Sequence, residues 1–253
     1  AVITAGKIYA ALDEWAPFDT QEDFDNSGLL IGGMDQPVSF CLLALDLTPE
    51  VCEEAKKRGA QMVITHHPVI FHPLKSLSPD DVAYQAVQAG LTVLSAHTNL
   101  DRAPGGVSDT LADLLGLSGA DDLDGGDGFV KIGLLPQAVS GEELAGLVRE
   151  RLGLSGLRLL DAGSPIRSVA LCSGSGGSFL KEVLASEADA YITGDLKHDQ
   201  AVEAAAAGLT LIDAGHYETE SIILEPLREY LAERFPKIEF RRAMADRPLF
   251  RHR

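Results

Sequence analysis

Apolar positions along the chain follow two recurring patterns. One is helical spacing: Ile8, Ala11, Leu12 and Trp15 fall on one face of a helix expected over residues 4–15, which Pro17 stops. The other is the short, nearly continuous apolar run of a buried strand, at 38–46, 61–65, 91–96, 129–135, 157–160, 167–172, 190–193 and 209–214. The segments between carry helix punctuation. Thr48-Pro49-Glu50 offers an N-cap hydroxyl, a first-turn proline and an acid at the positive end of the dipole, and Gly59 ends that helix. Helices are expected at 80–89, 108–115, from the capping-box spacing Ser140-Gly141-Glu142-Glu143 to Leu152, and at 198–207. A last long helix is expected over 217–235, kinked or restarted by Pro226, with an edge strand at 238–242. Strands alternating with helices predict an α/β fold.

The pattern also repeats. Shifted by 128 residues, Leu43 meets Leu171, Glu54 meets Glu182, Ala60 meets Ala188, and Ile64-Thr65 meets Ile192-Thr193. Further on, Ala86–Val93 resembles Ala201–Ala204 followed by Gly208–Leu211, and His97-x-x-x-Asp101 lies opposite His216-x-x-x-Glu220. This predicts two similar, duplicated α/β lobes, 1–124 and 125–253, with mixed sheets flanked by helices. The acidic, Gly-rich stretch 119–128 reads as their linker, and the tail after about 213 as a segment able to pack back on the first lobe. Functional groups at the strand ends of two such lobes can face one another across a cleft.

Composition narrows the function classes. With 253 residues, 45% of them hydrophobic, the chain can build one large or two small cores. A formal net charge of −17 disfavours nucleic acid and anionic membranes as partners. Cys41, Cys52 and Cys172 are odd in number and form no CxxC pair, so they read as buried, reduced thiols. No signal-like segment opens the sequence and no apolar run approaches the ~18 residues of a membrane span, so a soluble, cytoplasmic protein is expected.

Chemistry-bearing side chains gather at the strand ends. Ile64-Thr65-His66-His67-Pro68 places two histidines where proline turns the chain out of a strand, so both imidazoles can turn one way and serve two ions. His216 and Glu220, four apart on an expected first helical turn, share a face, and the same spacing relates His97 and Asp101. Imidazole with carboxylate suits Zn, Fe, Mn or Co and does not suit a calcium cage or a thiolate site. His72 and His252 read as ordinary surface or hydrogen-bonded residues. The turn Ser173–Ser178 leads into a helix carrying Phe179, Val183 and Leu184. Its amides could hold a phosphate, but without a P-loop lysine it reads first as a tight packing turn.

The strings Asp25-Asn26-Ser27-Gly28-Leu29, Ile64–Pro68, His97-Thr98-Asn99-Leu100-Asp101, Gly174-Ser175-Gly176-Gly177, Thr193-Gly194-Asp195 and Gly215-His216-Tyr217-x-Thr219-Glu220 span nearly the whole chain. Together they resemble the GTP cyclohydrolase I type 2 homologue family, the NGG-interacting-factor-three-like dinuclear metal proteins. The resemblance implies two divalent ions per subunit held by His66, His67, Asp101, His216 and Glu220, with Glu220 bridging. It implies His67 and Asp101 on one ion, and His66 and His216 on the other. It also implies two α/β lobes and a hexameric ring. Some members carry a long extra domain in the middle, for which this chain has no room, and Ser27 and Pro226 are less usual choices.

Five protein ligands over two ions leave coordination positions open, the mark of a catalytic site. The expected function is a metal-dependent hydrolase acting on a small molecule, nucleotide or phosphoester-like. His97 is the first candidate for acid–base work or substrate contact, followed by Asp195 and His198, which could instead orient a ligand imidazole. The competing expectation is a metal-binding regulatory or interaction scaffold without turnover. Metal storage is a weaker third reading, since the chain has only seven histidines.

Overall fold

A computed structural model describes residues 2–253. The chain opens with α1 (Ala5–Trp15), whose buried Ala5, Ile8, Ala11 and Leu12 are the apolar stripe read from the sequence. There follow β1 (Gly28–Ile31), β2 (Phe40–Ala44), α2 (Pro49–Arg58), β3 (Met62–Thr65), α3 (Val82–Gln88), β4 (Thr92–Ser95) and the short α4 (Thr98–Arg102). Thr48 caps α2 as its spacing predicts: the hydroxyl accepts a hydrogen bond from Val51 N–H at 3.2 Å, and Gly59 leaves the helix at φ 74°.

Next come α5 (Val107–Leu114), β5 (Ser118–Asp122), β6 (Val130–Val139), α6 (Gly141–Leu152), β7 (Arg158–Leu160), β8 (Ile166–Ser175), α7 (Leu180–Leu184), β9 (Ala190–Gly194), α8 (His198–Ala207), β10 (Thr210–Asp213) and α9 (His216–Glu220). The Ser140–Glu143 capping box at the start of α6 is formed. The long helix expected over 217–235 is broken into α9, a 3-10 turn at Ser221–Ile223 and α10 (Leu224–Arg234). Pro226 sits in the first turn of α10, where its missing N–H costs nothing. The chain then forms β11 (Glu239–Arg242).

These elements divide into two units. The first holds the residues up to Pro104 together with Ile223–Arg247, and the second holds Gly105–Ile222 with Pro248–Arg253. The division therefore falls at Pro104, not at 124, and the stretch 119–128 is not a linker. β5 pairs antiparallel with β6, and Lys131 of β6 bonds Asp122 and lies 3.3 Å from Asp109. Ion pairs and ladder hydrogen bonds hold this edge strand, so it carries no apolar pattern to read.

Among the described residues the first unit has a five-stranded sheet in the order β1-β4-β3-β2-β11, and the second a six-stranded sheet in the order β5-β6-β8-β9-β10-β7. Each is built on a parallel trio, β2-β3-β4 and β8-β9-β10, flanked beyond its last strand by an antiparallel one, β1 or β7. These are the repeated halves of the sequence. β3 and β4 are buried throughout, as is β9, which explains their unbroken apolar runs. Val63 and Val93 pack with Val51, Ala55 and Ala86 on one sheet; Val169, Leu171 and Ile192 pack with Leu144 and Val148 on the other. The three cysteines are buried thiols, and burial pushes Cys41 well up. No helix of the described residues is long and apolar enough to cross a membrane.

Candidate metal centre

Register puts the chemistry at one edge of each sheet. In the first unit Thr65 of β3 lies beside Ser95 of β4, so His66-His67 and His97 leave the sheet together at its carboxyl edge. In the second, Thr193 of β9 lies beside Asp213 of β10, and the chain leaves there through Gly194-Asp195 and Gly215-His216.

The histidines of the first unit are held in defined tautomers. His66 is 2% exposed, and its Nδ1 donates to the Ala96 carbonyl at 2.8 Å, which can only accept. In the neutral ring Nε2 therefore carries a lone pair, yet it stands 3.2 Å from Asp101 Oδ1, itself an acceptor. Two acceptors so close in a buried place need a proton or a cation between them. His67 Nδ1 donates to Asp46 Oδ1 at 2.8 Å, and His97 Nδ1 to Asp25 Oδ1 at 2.7 Å. The three rings pack at centroid distances of 5.1, 5.1 and 5.4 Å, and ligand atoms of His66, His67 and His97 lie within 4.8 Å of one another. Side-chain hydroxyls fix the loop: Ser95 Oγ donates to the His66 carbonyl at 2.9 Å and Thr65 Oγ1 to the His67 carbonyl at 2.7 Å.

His97 and Asp101 do not share a helical face as their spacing suggested. His97 is the N-cap of α4, at φ −109° and ψ −105°, off the helical path. Its ring turns to Asp25, while Asp101, inside α4, turns to His66.

In the second unit the His-x-x-x-Glu pair does meet. His216 Nε2 lies 3.0 Å from Glu220 Oε2, and His216 Nδ1 donates to Asp195 Oδ2 at 2.7 Å. Burial alone would depress the His216 imidazole, but the Glu220 and Asp195 carboxylates outweigh it and push it up to about 9. Asp195 holds this position at φ 54°, a left-handed conformation uncommon outside glycine that aspartate adopts more readily than most residues. Gly174, at φ 66°, lets Glu220 in: a Cβ there would come within 3.0 Å of Glu220 Cδ.

The expected site residues thus form two groups, His66, His67, His97 and Asp101 in one unit and Asp195, His216 and Glu220 in the other. His198 is exposed at the start of α8, and among the described residues no hydrogen bond or ion pair ties it to His216 or Asp195. The turn 173–178 packs tightly: Gly174 N–H donates to Thr219 Oγ1 at 2.8 Å and Gly176 N–H to Thr193 Oγ1 at 2.9 Å, which takes up two amides that a phosphate would need. Sequence reasoning left Asp25 and Asp46 off the site. Asp25 lay in a motif already singled out, and Asp46 at the polar end of a strand, but nothing in either position named its histidine.

The donor set fits a divalent metal. Histidines with Nδ1 tied to a carboxylate or carbonyl, and carboxylates set against Nε2, are how proteins orient imidazole toward Zn, Fe, Mn or Co. Fold and site together define an α/β protein with duplicated sheets and histidine–carboxylate groups able to hold metal at the strand ends. The model of the family Duf34/NIF3 (NGG1p interacting factor 3) matches residues 3–247, and the chain belongs to that family. It is 31% identical over 244 residues to a GTP cyclohydrolase 1 type 2 homolog of Clostridium perfringens, covering 92% of this chain and 93% of that protein. It is 38% identical over 200 residues to the protein of the same name from Nostoc, covering 75% and 76%. The fold is similar to the crystal structure of a Staphylococcus aureus hypothetical protein, with a TM-score of 0.90, 26% identity and full coverage of both chains.

Proposed function

We propose that the chain holds two divalent metal ions through His66, His67, Asp101, His216 and Glu220, and that it is a hydrolase of a nucleotide or phosphoester-like small molecule. The observation that carries this reading is the place of the His66 ring, with Nδ1 on a carbonyl and Nε2 on a carboxylate. The Ala96 carbonyl takes its Nδ1 proton, and the remaining lone pair is set against a buried carboxylate oxygen, an arrangement a cation would complete. When bound, such ions act as Lewis acids that polarise a substrate oxygen or carbon. The residues of the chain do the rest: Asp46 and Asp195 orient His67 and His216, and His97, beside His66 and His67, accepts or returns a proton. The names of the relatives, GTP cyclohydrolase 1 type 2 homolog, favour a guanine nucleotide as the first substrate to try. The resemblance also favours a hexameric ring, which the mass of the particle in solution tests.

A scaffold reading is favoured by one observation: His66 is 2% and Glu220 4% exposed, deeper than open catalytic ligands need be. The test separates the two. Metal per chain is measured for the wild type, His66→Ala and Glu220→Ala, and GTP and simple phosphoesters are offered to each. Two ions per chain and turnover in the wild type, with affinity lost by more than about 100-fold in both variants, support the hydrolase. Metal without turnover supports the scaffold. Both ions retained in both variants refutes the ligand set.

A further inference from the structure

The loop before β1 supplies a carboxylate that the ligand set leaves out. The Asp25 side chain is 0% exposed. Its Oδ1 accepts from His97 Nδ1 at 2.7 Å and from Asn26 N–H at 2.8 Å. Its Oδ2 accepts from Thr98 N–H at 3.0 Å, from the Thr98 hydroxyl and from the Ser27 hydroxyl at 3.2 Å. Ser27 Oγ in turn accepts His97 N–H at 3.0 Å, so one loop holds both the backbone and the ring of His97. A carboxylate accepts and does not donate, so the neutral His97 ring must carry its proton on Nδ1. Nε2 is then the nitrogen left to converge with those of His66 and His67.

We propose that Asp25 is a positioning residue that fixes the tautomer of His97, so that a lone pair on Nε2, not an N–H, is offered beside His66 and His67 and serves there as the proton acceptor. The consequence for chemistry rests on the metal-binding reading of His66 and His67; the tautomer itself does not.

The hydrogen-bond pattern says what Asp25→Asn must do. The new amide nitrogen has to replace one of the two oxygens. In the place of Oδ2 it would meet Thr98 N–H, a donor that cannot turn round, and would forfeit two hydroxyl donors. In the place of Oδ1 it meets two donors and not three: Asn26 N–H, as fixed as Thr98 N–H, and His97 Nδ1, which can give up its proton. The amide therefore turns its nitrogen to His97, Nδ1 becomes an acceptor, and the proton moves to Nε2. Replacing an orienting carboxylate by its amide imposes the wrong tautomer on a catalytic histidine in the same way elsewhere.

The test is long-range proton–nitrogen NMR on the full chain labelled with ¹⁵N-histidine, metal-free and zinc-loaded, with His97 assigned by its own substitution. The expected result is Nδ1–H on His97 in the wild type and in Ser27→Ala, Nε2–H in Asp25→Asn, and unchanged zinc stoichiometry in all three. Nε2–H in the wild type, or Nδ1–H kept in a folded Asp25→Asn, overturns the proposal. Should Asp25→Asn fail to fold, the wild type and Ser27→Ala decide it alone: Nδ1–H in both supports it and Nε2–H in the wild type ends it. A wild type that binds no zinc but shows Nδ1–H would refute the metal reading and leave the tautomer assignment standing.

Discussion

The two units solve the same exit from a parallel sheet in different ways. After β3 the chain continues Thr65-His66-His67; after β9, at the equivalent place, it continues Thr193-Gly194-Asp195. In the first unit a side chain fits at the first exit position, and its imidazole becomes the most buried of the cluster. In the second there is no room for one: a Cβ on Gly194 would lie 2.6 Å from His216 N and 2.7 Å from the Gly174 carbonyl oxygen. The start of α9 lies directly over the strand end, and His216 and Glu220, one helical turn apart, stand 3.0 Å from each other. Both helices start three residues after their strand, α4 at Thr98 after Ser95 and α9 at His216 after Asp213, so His216 lies inside its helix while His97 stands outside α4 as its cap and Asp101 faces His66. A duplicated scaffold has thus kept its strands and divided its chemistry, with three imidazoles and a carboxylate in one copy and a tight His–Glu pair in the other.

Substitution at that exit position gives the largest expected effect and the sharpest break between the copies. Gly194→Ala forces a methyl against backbone atoms that cannot swing away, and is expected to destabilise the chain by about 1–3 kcal/mol, the range of overpacked cores. The equivalent His66→Ala removes atoms instead of adding them, so the metal-free chain is expected to keep its fold while metal is lost. Denaturant unfolding of both variants, read beside their metal content, checks the pair. Equal stability in the two would mean that the close packing at Gly194 is not what separates the copies.

A smaller effect compares the carboxylates that orient the imidazoles. Asp46 and Asp195 each hold one histidine through Nδ1 at 2.8 and 2.7 Å. Asp46→Asn and Asp195→Asn are each expected to weaken metal binding by about 10–100-fold while leaving every proposed ligand in place. Asp195 alone pays a backbone cost, since it sits at φ 54°; asparagine tolerates that conformation and keeps the comparison fair. Titration with zinc by calorimetry measures both, and an unchanged affinity in either variant removes that carboxylate from the site.

How much of this was legible in the sequence follows from what each element relies on. Elements held by local rules were legible: the Thr48 cap, the Ser140 capping box, the apolar strands of the two trios and the restart at Pro226 all depend on neighbours within a few residues. The candidate ligands could be singled out because they sit at strand ends in a repeated order. Features that depend on distant partners were not. β5 is an acidic run made into a strand by Lys131, and Asp25 reaches His97 from 72 residues away. The His97/Asp101 spacing misled because it assumes both residues are helical, and one is a cap.

The smallest expected effect concerns pH, and it separates the copies by sign. His216 is raised to about 9 in the folded, metal-free chain from an ordinary 6.5, so its ion pairs contribute stability that is fully present below about 6.5 and fades as pH rises through 9. In the first unit burial alone would raise Asp25, but hydrogen bonds from His97 and Thr98 prevail and hold it well below the usual carboxylate range. Its contribution is therefore present at neutral pH and lost only in acid, as pH falls through that depressed value. With the His216 side chain a third exposed, solvent screening keeps the alkaline loss below about 1 kcal/mol, a shift of a few degrees in Tm. On the metal-binding reading the sign reverses for His216, because a ligand must be neutral and its proton is released on binding. Thermal unfolding of the metal-free chain between pH 6 and 10 should show Tm falling, the zinc-loaded chain should not follow it, and His216→Gln should flatten the metal-free slope. A metal-free slope that survives in His216→Gln would place the titrating group elsewhere in the chain.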